Sequence, residues 1–314
     1  AIYQFMRHKI KKNFIFINNL KPNFTKNERN KKVVNLVVSK SGNTLETISN
    51  LNVLLKKKNT NKNIFIIQNK NNYLSKIAKK IKAEVFEHKN FIGGRYSILS
   101  EVGMLPAELM GLKEKKFKKY NYLINNKNFI NNLVSNVSST LKLIRQGKSN
   151  SIILNYDEKS ENFFKWYQQL IAESLGKKSK GILPIISTMP KDNHSLMQFY
   201  LDGSKNNFYT FFNVKEKKSE RINNNNLLKP YQYLRNKTLY EILVSQMEAA
   251  QRIFKRKNLP FRSFEILNRT EDSMGELFCF FIMETILLGR ALNVNPFDQP
   301  SVELVKAETK KILL

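Results

Sequence analysis
The chain has 314 residues with 54 Lys+Arg against 25 Asp+Glu, a formal net charge of +29 at pH 7. Hydrophobic residues at 41% and aromatics at 11% are enough to bury a core, which excludes the composition of a disordered chain. The apolar runs Phe278–Met283 and Ile286–Leu288 are broken by Glu284, Thr285 and Gly289 well short of the ~18–20 residues that a bilayer span needs, so no membrane partner is expected.

The predicted elements alternate short strands with amphipathic helices. A helix over Ala1–Ile10 opens the chain, which reads as a fragment or a processed product because it begins inside that helix. Strands follow at Asn13–Ile17, Val33–Val38, Ile64–Gln68 and Glu84–Phe86, with helices at Thr44–Leu55 and Tyr73–Ile81 between them. A charged stretch, Lys113–Lys127, then leads into a long helix over Phe129–Ile144. Beyond it lie strands at Ser151–Asn155, Ile182–Ile186, Phe208–Phe212 and Ser263–Leu267, interleaved with helices at Glu161–Leu175, Leu239–Lys255 and Met274–Leu292. Alternation of this kind predicts α/β architecture with mainly parallel sheets. The expected division is a first domain over 1–112, a helical connection over 113–150 and a second domain over 151–314.

The basic residues are spread along the whole chain, mostly as Lys beside Asn, and no nucleic-acid-binding motif accompanies them. They read as solvated surface, and no specific nucleic-acid partner is expected. A single cysteine, Cys279, excludes an internal disulfide framework and fits a reducing, cytoplasmic setting. No His/Cys/Asp cluster has metal-ligand spacing and no Gly-x-Gly-x-x-Gly turn is present, so no cofactor is expected.

Two motifs carry chemistry. The first is a strand running into Ser39-Lys40-Ser41-Gly42-Asn43-Thr44 and Thr47 at the start of a helix. Hydroxyls and Gly-freed amides at a helix N-terminus suit an anion, although Thr44 as a plain cap and Ser39 and Ser41 as turn residues remain an equal alternative. The second is Gly93-Gly94-Arg95-Tyr96-Ser97 after a strand, where the glycines admit a ligand to the backbone and Arg95 offers a permanently charged fork.

The first motif resembles the phosphosugar-binding turn of the sugar isomerase (SIS) domain. The second resembles the signature of the glucose-6-phosphate isomerase family in its shorter bacterial form, and the two stand in that family's order. The resemblance implies two SIS domains, each a mainly parallel sheet flanked by helices, and an aldose–ketose isomerase acting through a cis-enediol(ate). By the same resemblance the base is Glu173, in Trp166–Lys177, with the substrate-contacting Gln169 one turn earlier. The histidine that assists ring opening is His194, 21 residues after the base, and the C-terminal lysine is Lys306 in Phe297–Lys306. Arg95 would hold charge on the enediolate oxygens, while Ser39, Lys40, Ser41, Gly42, Asn43, Thr44, Thr47 and Gly94 would seat the phosphosugar. A homodimer is implied, because the family's histidine reaches the site from the neighbouring subunit.

Two departures from the family pattern stand out. Ser301, after Pro300, replaces the usual Gly or Ala. The Gly-Gly-Ser loop and opening strand of the first domain are expected upstream of Ala1, leaving that domain N-terminally incomplete and with an unpaired sheet edge. Two other readings share the fold: a bifunctional phosphoglucose/phosphomannose isomerase and a non-catalytic phosphosugar-binding SIS protein.

Overall fold
The computed structural model describes residues 1–25, 33–55 and 62–314, which form two compact units. One is His8–Lys115; the other joins Ala1–Arg7 to Lys116–Leu314. The opening helix, α1, is shorter than expected, spanning Ile2–Phe5 before a tight turn over Arg7–Lys9. Its partners lie far downstream, with Gln4 Nε2 donating to the Glu158 carbonyl at 3.0 Å and Gln4 Oε1 accepting from the Asn162 amide at 2.9 Å. The first seven residues thus belong with the second unit.

The His8–Lys115 unit runs β1 (Asn35–Ser39), α2 (Leu45–Leu54), β2 (Asn63–Ile67), α3 (Tyr73–Lys80), β3 (Glu84–Glu87) and α4 (Glu101–Leu109). Its strands form a parallel sheet in the order β1-β2-β3. β2 lies between the other two, and every residue of its Asn-Ile-Phe-Ile-Ile run is buried, as a central parallel strand covered on both faces requires. One face packs Val37, Phe65 and Ile67 against Leu51, Leu74 and Ala78. Residues 13–17 form no strand: they join no ladder, and Ile15 and Phe16 are 52% and 57% exposed. Apolar, β-branched composition favours a strand, but a ladder also needs a neighbour to pair with.

The larger unit contains α5 (Tyr120–Ile124), α6 (Lys127–Arg145), β4 (Asn150–Asn155), α7 (Glu161–Leu175), β5 (Leu183–Thr188), α8 (Met197–Asp202), β6 (Asn207–Val214), α9 (Leu239–Arg256), β7 (Phe261–Ile266), α10 (Glu271–Ala291) and α11 (Val302–Leu313). All four strands are parallel, in the order β5-β4-β6-β7. The helix expected as a connection, α6, packs on α10 within this unit. Residues of α7, β6 and α10 build an aromatic core: Phe164 meets Phe212 edge-on at 4.8 Å, Tyr167 meets Phe281 at 4.7 Å, and Trp166 meets Phe278 at 4.8 Å. Such pairs add about 0.5–1.5 kcal/mol each beyond the area they bury.

Two buried ionic groups tie the layers together. Arg262 on β7 pairs with Glu284 on α10, its Nε also donating to Thr210 Oγ1 at 3.1 Å. Arg269 holds Asp157 with two bonds, at 2.7 and 3.1 Å, and reaches Glu216 at 3.0 Å; the Phe5 ring lies 4.8 Å from its guanidinium carbon. That stacking holds α1 in the larger unit. Among the described residues, no helix is long and apolar enough to cross a membrane.

Candidate active site
In the His8–Lys115 unit, β1 ends on the buried Ser39 and delivers the chain into the hydroxyl-rich turn. Thr44 takes the N-cap position of α2 but makes no side-chain cap bond. Its Oγ1 instead shares a 2.7 Å hydrogen bond with Ser39 Oγ, which sets aside the reading of Thr44 as a plain cap. Ser41 Oγ accepts from the Asn43 amide at 3.2 Å. Gly42 adopts φ +67°, in the left-handed region that glycine alone enters without strain. The turn is clamped from α3, where the Leu74 amide donates to the Gly42 carbonyl and the Tyr73 amide to Asn43 Oδ1, both at 3.0 Å. Thr47 is half-buried on the first turns of α2.

Arg95 belongs to the same unit, in the tight 3-10 turn Gly94–Leu99 that follows β3. It is only 2% exposed, and its guanidinium lies 5.3 Å from the Tyr96 ring centroid. Gly94 is exposed, with open space where a Cβ would stand. Ser97 Oγ donates to the Gly94 carbonyl at 2.6 Å and holds the turn closed. Partial burial, followed by the positive charges of Arg95 and Lys70, pushes the Lys40 ammonium below the usual lysine value. Lys40, a residue of the hydroxyl turn, thus feels the positive charge of both Arg95 and Lys70.

The direction of that shift places the pH dependence expected of an anion held at this turn. A bound anion favours charged Lys40, so affinity falls as pH rises through the Lys40 value, which is reached below the ~10.4 of an ordinary lysine. Inorganic phosphate titrated calorimetrically at rising alkaline pH is expected to bind progressively less well, and Lys40→Met to flatten the trend. A trend that survives Lys40→Met unchanged would remove Lys40 from the site.

In the larger unit, the buried face of α7 (Phe163, Phe164, Tyr167, Leu170, Ile171) leaves Gln169 and Glu173 on another face one turn apart. Gln169 Nε2 donates to Glu173 Oε1 at 3.1 Å. Lys177, the neighbouring lysine on the chain, pairs with Asp298 at 2.6 Å. His194 is exposed and closes the short 3-10 turn Lys191–Asn193 beyond β5. Asp192 shapes that loop, accepting from the Thr188 amide at 2.8 Å and from Ser195 Oγ at 2.9 Å. Lys306 lies on α11, which buries no residue, and pairs with Glu303 at 2.7 Å. Sequence reasoning passed over Asn72, Tyr73 and Asp192, because polar loop residues carry no local sign of what they hold.

Parallel sheets flanked by helices in both units, with a hydroxyl turn at the carboxyl end of the first sheet, define a tandem SIS-like α/β protein. A solved hypothetical protein from Thermus thermophilus shares this fold at a TM-score of 0.80 and 26% identity, covering 88% of this chain and 71% of that one. The family model described as phosphoglucose isomerase matches residues 6–190. The chain belongs to the phosphoglucose isomerase family. It is 31% identical over 320 residues to the glucose-6-phosphate isomerase of Methanocaldococcus jannaschii, covering 96% of this chain and 76% of the relative. It is 33% identical over 305 residues to that of Mycoplasmopsis pulmonis, covering 90% and 70%. The chain spans 64% of the length of a third relative, from Methanococcus maripaludis.

Proposed function
We propose that this chain interconverts glucose 6-phosphate and fructose 6-phosphate through a cis-enediol(ate), with Glu173 as the base. The observation that carries the reading is the family match over residues 6–190, a span that contains the Ser39–Thr47 turn, Arg95, Gln169 and Glu173. The turn would seat the 6-phosphate on Ser39, Ser41, Thr44 and the charge of Lys40, so that binding energy from the remote phosphate orients the reacting carbons. Gln169, bonded to Glu173, would steer the carboxylate and contact the sugar.

With the ring open, the Glu173 carboxylate takes the C2 proton as the C1 carbonyl gains charge, giving the enediolate; a proton passes from O2 to O1, and the proton carried by Glu173 returns at C1 as the C2 carbonyl forms. Arg95 would stabilise the enediolate oxygens. Ring opening needs a proton removed from the O1 hydroxyl and one delivered to the ring oxygen, roles assigned to His194 and Lys306. The exposure of His194 suits delivery to a neighbouring subunit in a cytoplasmic homodimer.

The test is a coupled assay in which fructose 6-phosphate is converted to glucose 6-phosphate and read by a nicotinamide-linked dehydrogenase, with mannose 6-phosphate run in parallel. Turnover of fructose 6-phosphate is expected, and turnover of mannose 6-phosphate is not. A folded chain without turnover at saturating fructose 6-phosphate would sink the proposal.

A further inference from the structure
We infer that Asn72 is a positioning residue for the phosphate seat, acting through backbone groups on both sides of the turn. This rests on reading Ser39–Thr47 as that seat.

The geometry is an interlock. Asn72 is 5% exposed and every polar atom of its side chain is engaged. Oδ1 accepts from the Ser75 amide at 2.9 Å, and the Asn72 amide donates to Ser75 Oγ at 3.1 Å; together these cap the start of α3. Nδ2 faces the other way, donating to the Lys70 carbonyl at 3.0 Å and more weakly to the Gln68 carbonyl at 3.4 Å. Gln68 in turn donates its own amide to the Lys40 carbonyl at 3.1 Å. One side chain thus reaches the backbone of Lys40 through one intermediary and also fixes the backbone of Lys70, whose charge acts on Lys40.

The same side chain seals Gly42. A Cβ built on Gly42 would overlap the carboxamide of Asn72, so the left-handed turn and the asparagine fill one space between them. The next two residues, Tyr73 and Leu74, give their amides to Asn43 and Gly42. Oδ1 therefore caps α3, whose first amides clamp Gly42 and Asn43, while Nδ2 holds the Gln68–Lys70 segment that meets the Lys40 carbonyl.

That separation supplies the test. Serine is as good an N-cap as asparagine, but it cannot reach the Gln68 and Lys70 carbonyls; alanine does neither. Asn72→Ser and Asn72→Ala are compared with the wild-type chain for thermal midpoint, inorganic phosphate affinity by calorimetry, and KM and kcat for fructose 6-phosphate. Asn72→Ser keeps the cap and is expected to lower the thermal midpoint less than Asn72→Ala does, while phosphate affinity falls about tenfold and KM rises in step, with kcat little changed, the scale expected for one buried hydrogen bond. Asn72→Ala is expected to lower the midpoint further yet weaken phosphate by a similar factor.

If phosphate affinity instead follows the midpoint, impaired less in Asn72→Ser than in Asn72→Ala, Asn72 is a helix cap and the inference is overturned. The same holds if the wild-type chain binds no phosphate. A wild-type chain that binds phosphate but does not turn over would sink the isomerase reading alone, and the serine variant would still decide the role of Asn72.

Discussion

Glu173→Gln is expected to lower kcat for fructose 6-phosphate by about 10²–10⁴-fold, the range that a positioned general base supplies. The substitution is close to isosteric, and its amide oxygen can still accept from Gln169 Nε2, which now donates to Glu173 Oε1 at 3.1 Å. What disappears is the ability to carry a proton between adjacent carbons. KM and inorganic phosphate affinity should stay near wild type, because the phosphate seat belongs to other residues. That pattern, kcat lost with binding kept, is the signature of an interaction that acts only in the transition state. A variant retaining kcat within about threefold would be too active for the role given to Glu173.

The largest effect on stability is expected at Glu284. Glu284→Ala leaves Arg262 with a buried charge whose carboxylate partner has gone, a loss of about 3–5 kcal/mol. The side chains are 1% exposed for Glu284 and 18% for Arg262. Burial is the largest single influence and pushes the guanidinium down, yet the Arg262 value is raised, because the charges and hydrogen bonds of Glu284 and Tyr167 together outweigh the cost of leaving water. Thr210 Oγ1 remains as an acceptor at 3.1 Å, and the Phe264 and Phe281 rings lie 5.2 and 5.9 Å away. None of these restores a full negative charge. Urea unfolding followed by circular dichroism would measure the change, and Arg262→Met combined with Glu284→Leu should recover much of it by replacing the pair with apolar volume. A loss below about 1 kcal/mol for Glu284→Ala would mean that water or another group already compensates Arg262.

Where hydrophobic pattern and turn chemistry agreed, the elements could be read from the chain. The step from β1 through Ser39-Lys40-Ser41-Gly42 into α2 is such a case: an apolar strand, a glycine at the one left-handed position, then a helical period. Residues 13–17 carried the same apolar signal without a partner strand and were misread. α4 went unpredicted because Gly103 and Pro106 disfavour a helix locally; the structure uses Gly103 for close approach to the Ile98 carbonyl. Long-range pairs left no local trace at all. Asp157 and Arg269 are 112 residues apart, and Asn72 looks like any asparagine in an Asn-rich loop. The roles proposed for Glu173, His194 and Lys306 rest on motif resemblance, since a helix-end carboxylate, a loop histidine and one of many lysines have nothing individually distinctive.

The 2.7 Å contact between Ser39 and Thr44 has a consequence for how an anion is met. Two hydroxyls hold two hydrogens, and their mutual bond uses only one of them. The other always remains to be directed elsewhere, whichever residue supplies it, and exchanging the roles needs only a rotation of each O–H. An oxyanion at the proposed phosphate seat would therefore find a single donor that can be offered from either of two positions. The bond behind that donor polarises it, so the hydroxyl that accepts from its neighbour becomes the better donor to the anion. The pair works as one adjustable group, tolerant of where the oxygen lands and constant in the number of hydrogens it offers.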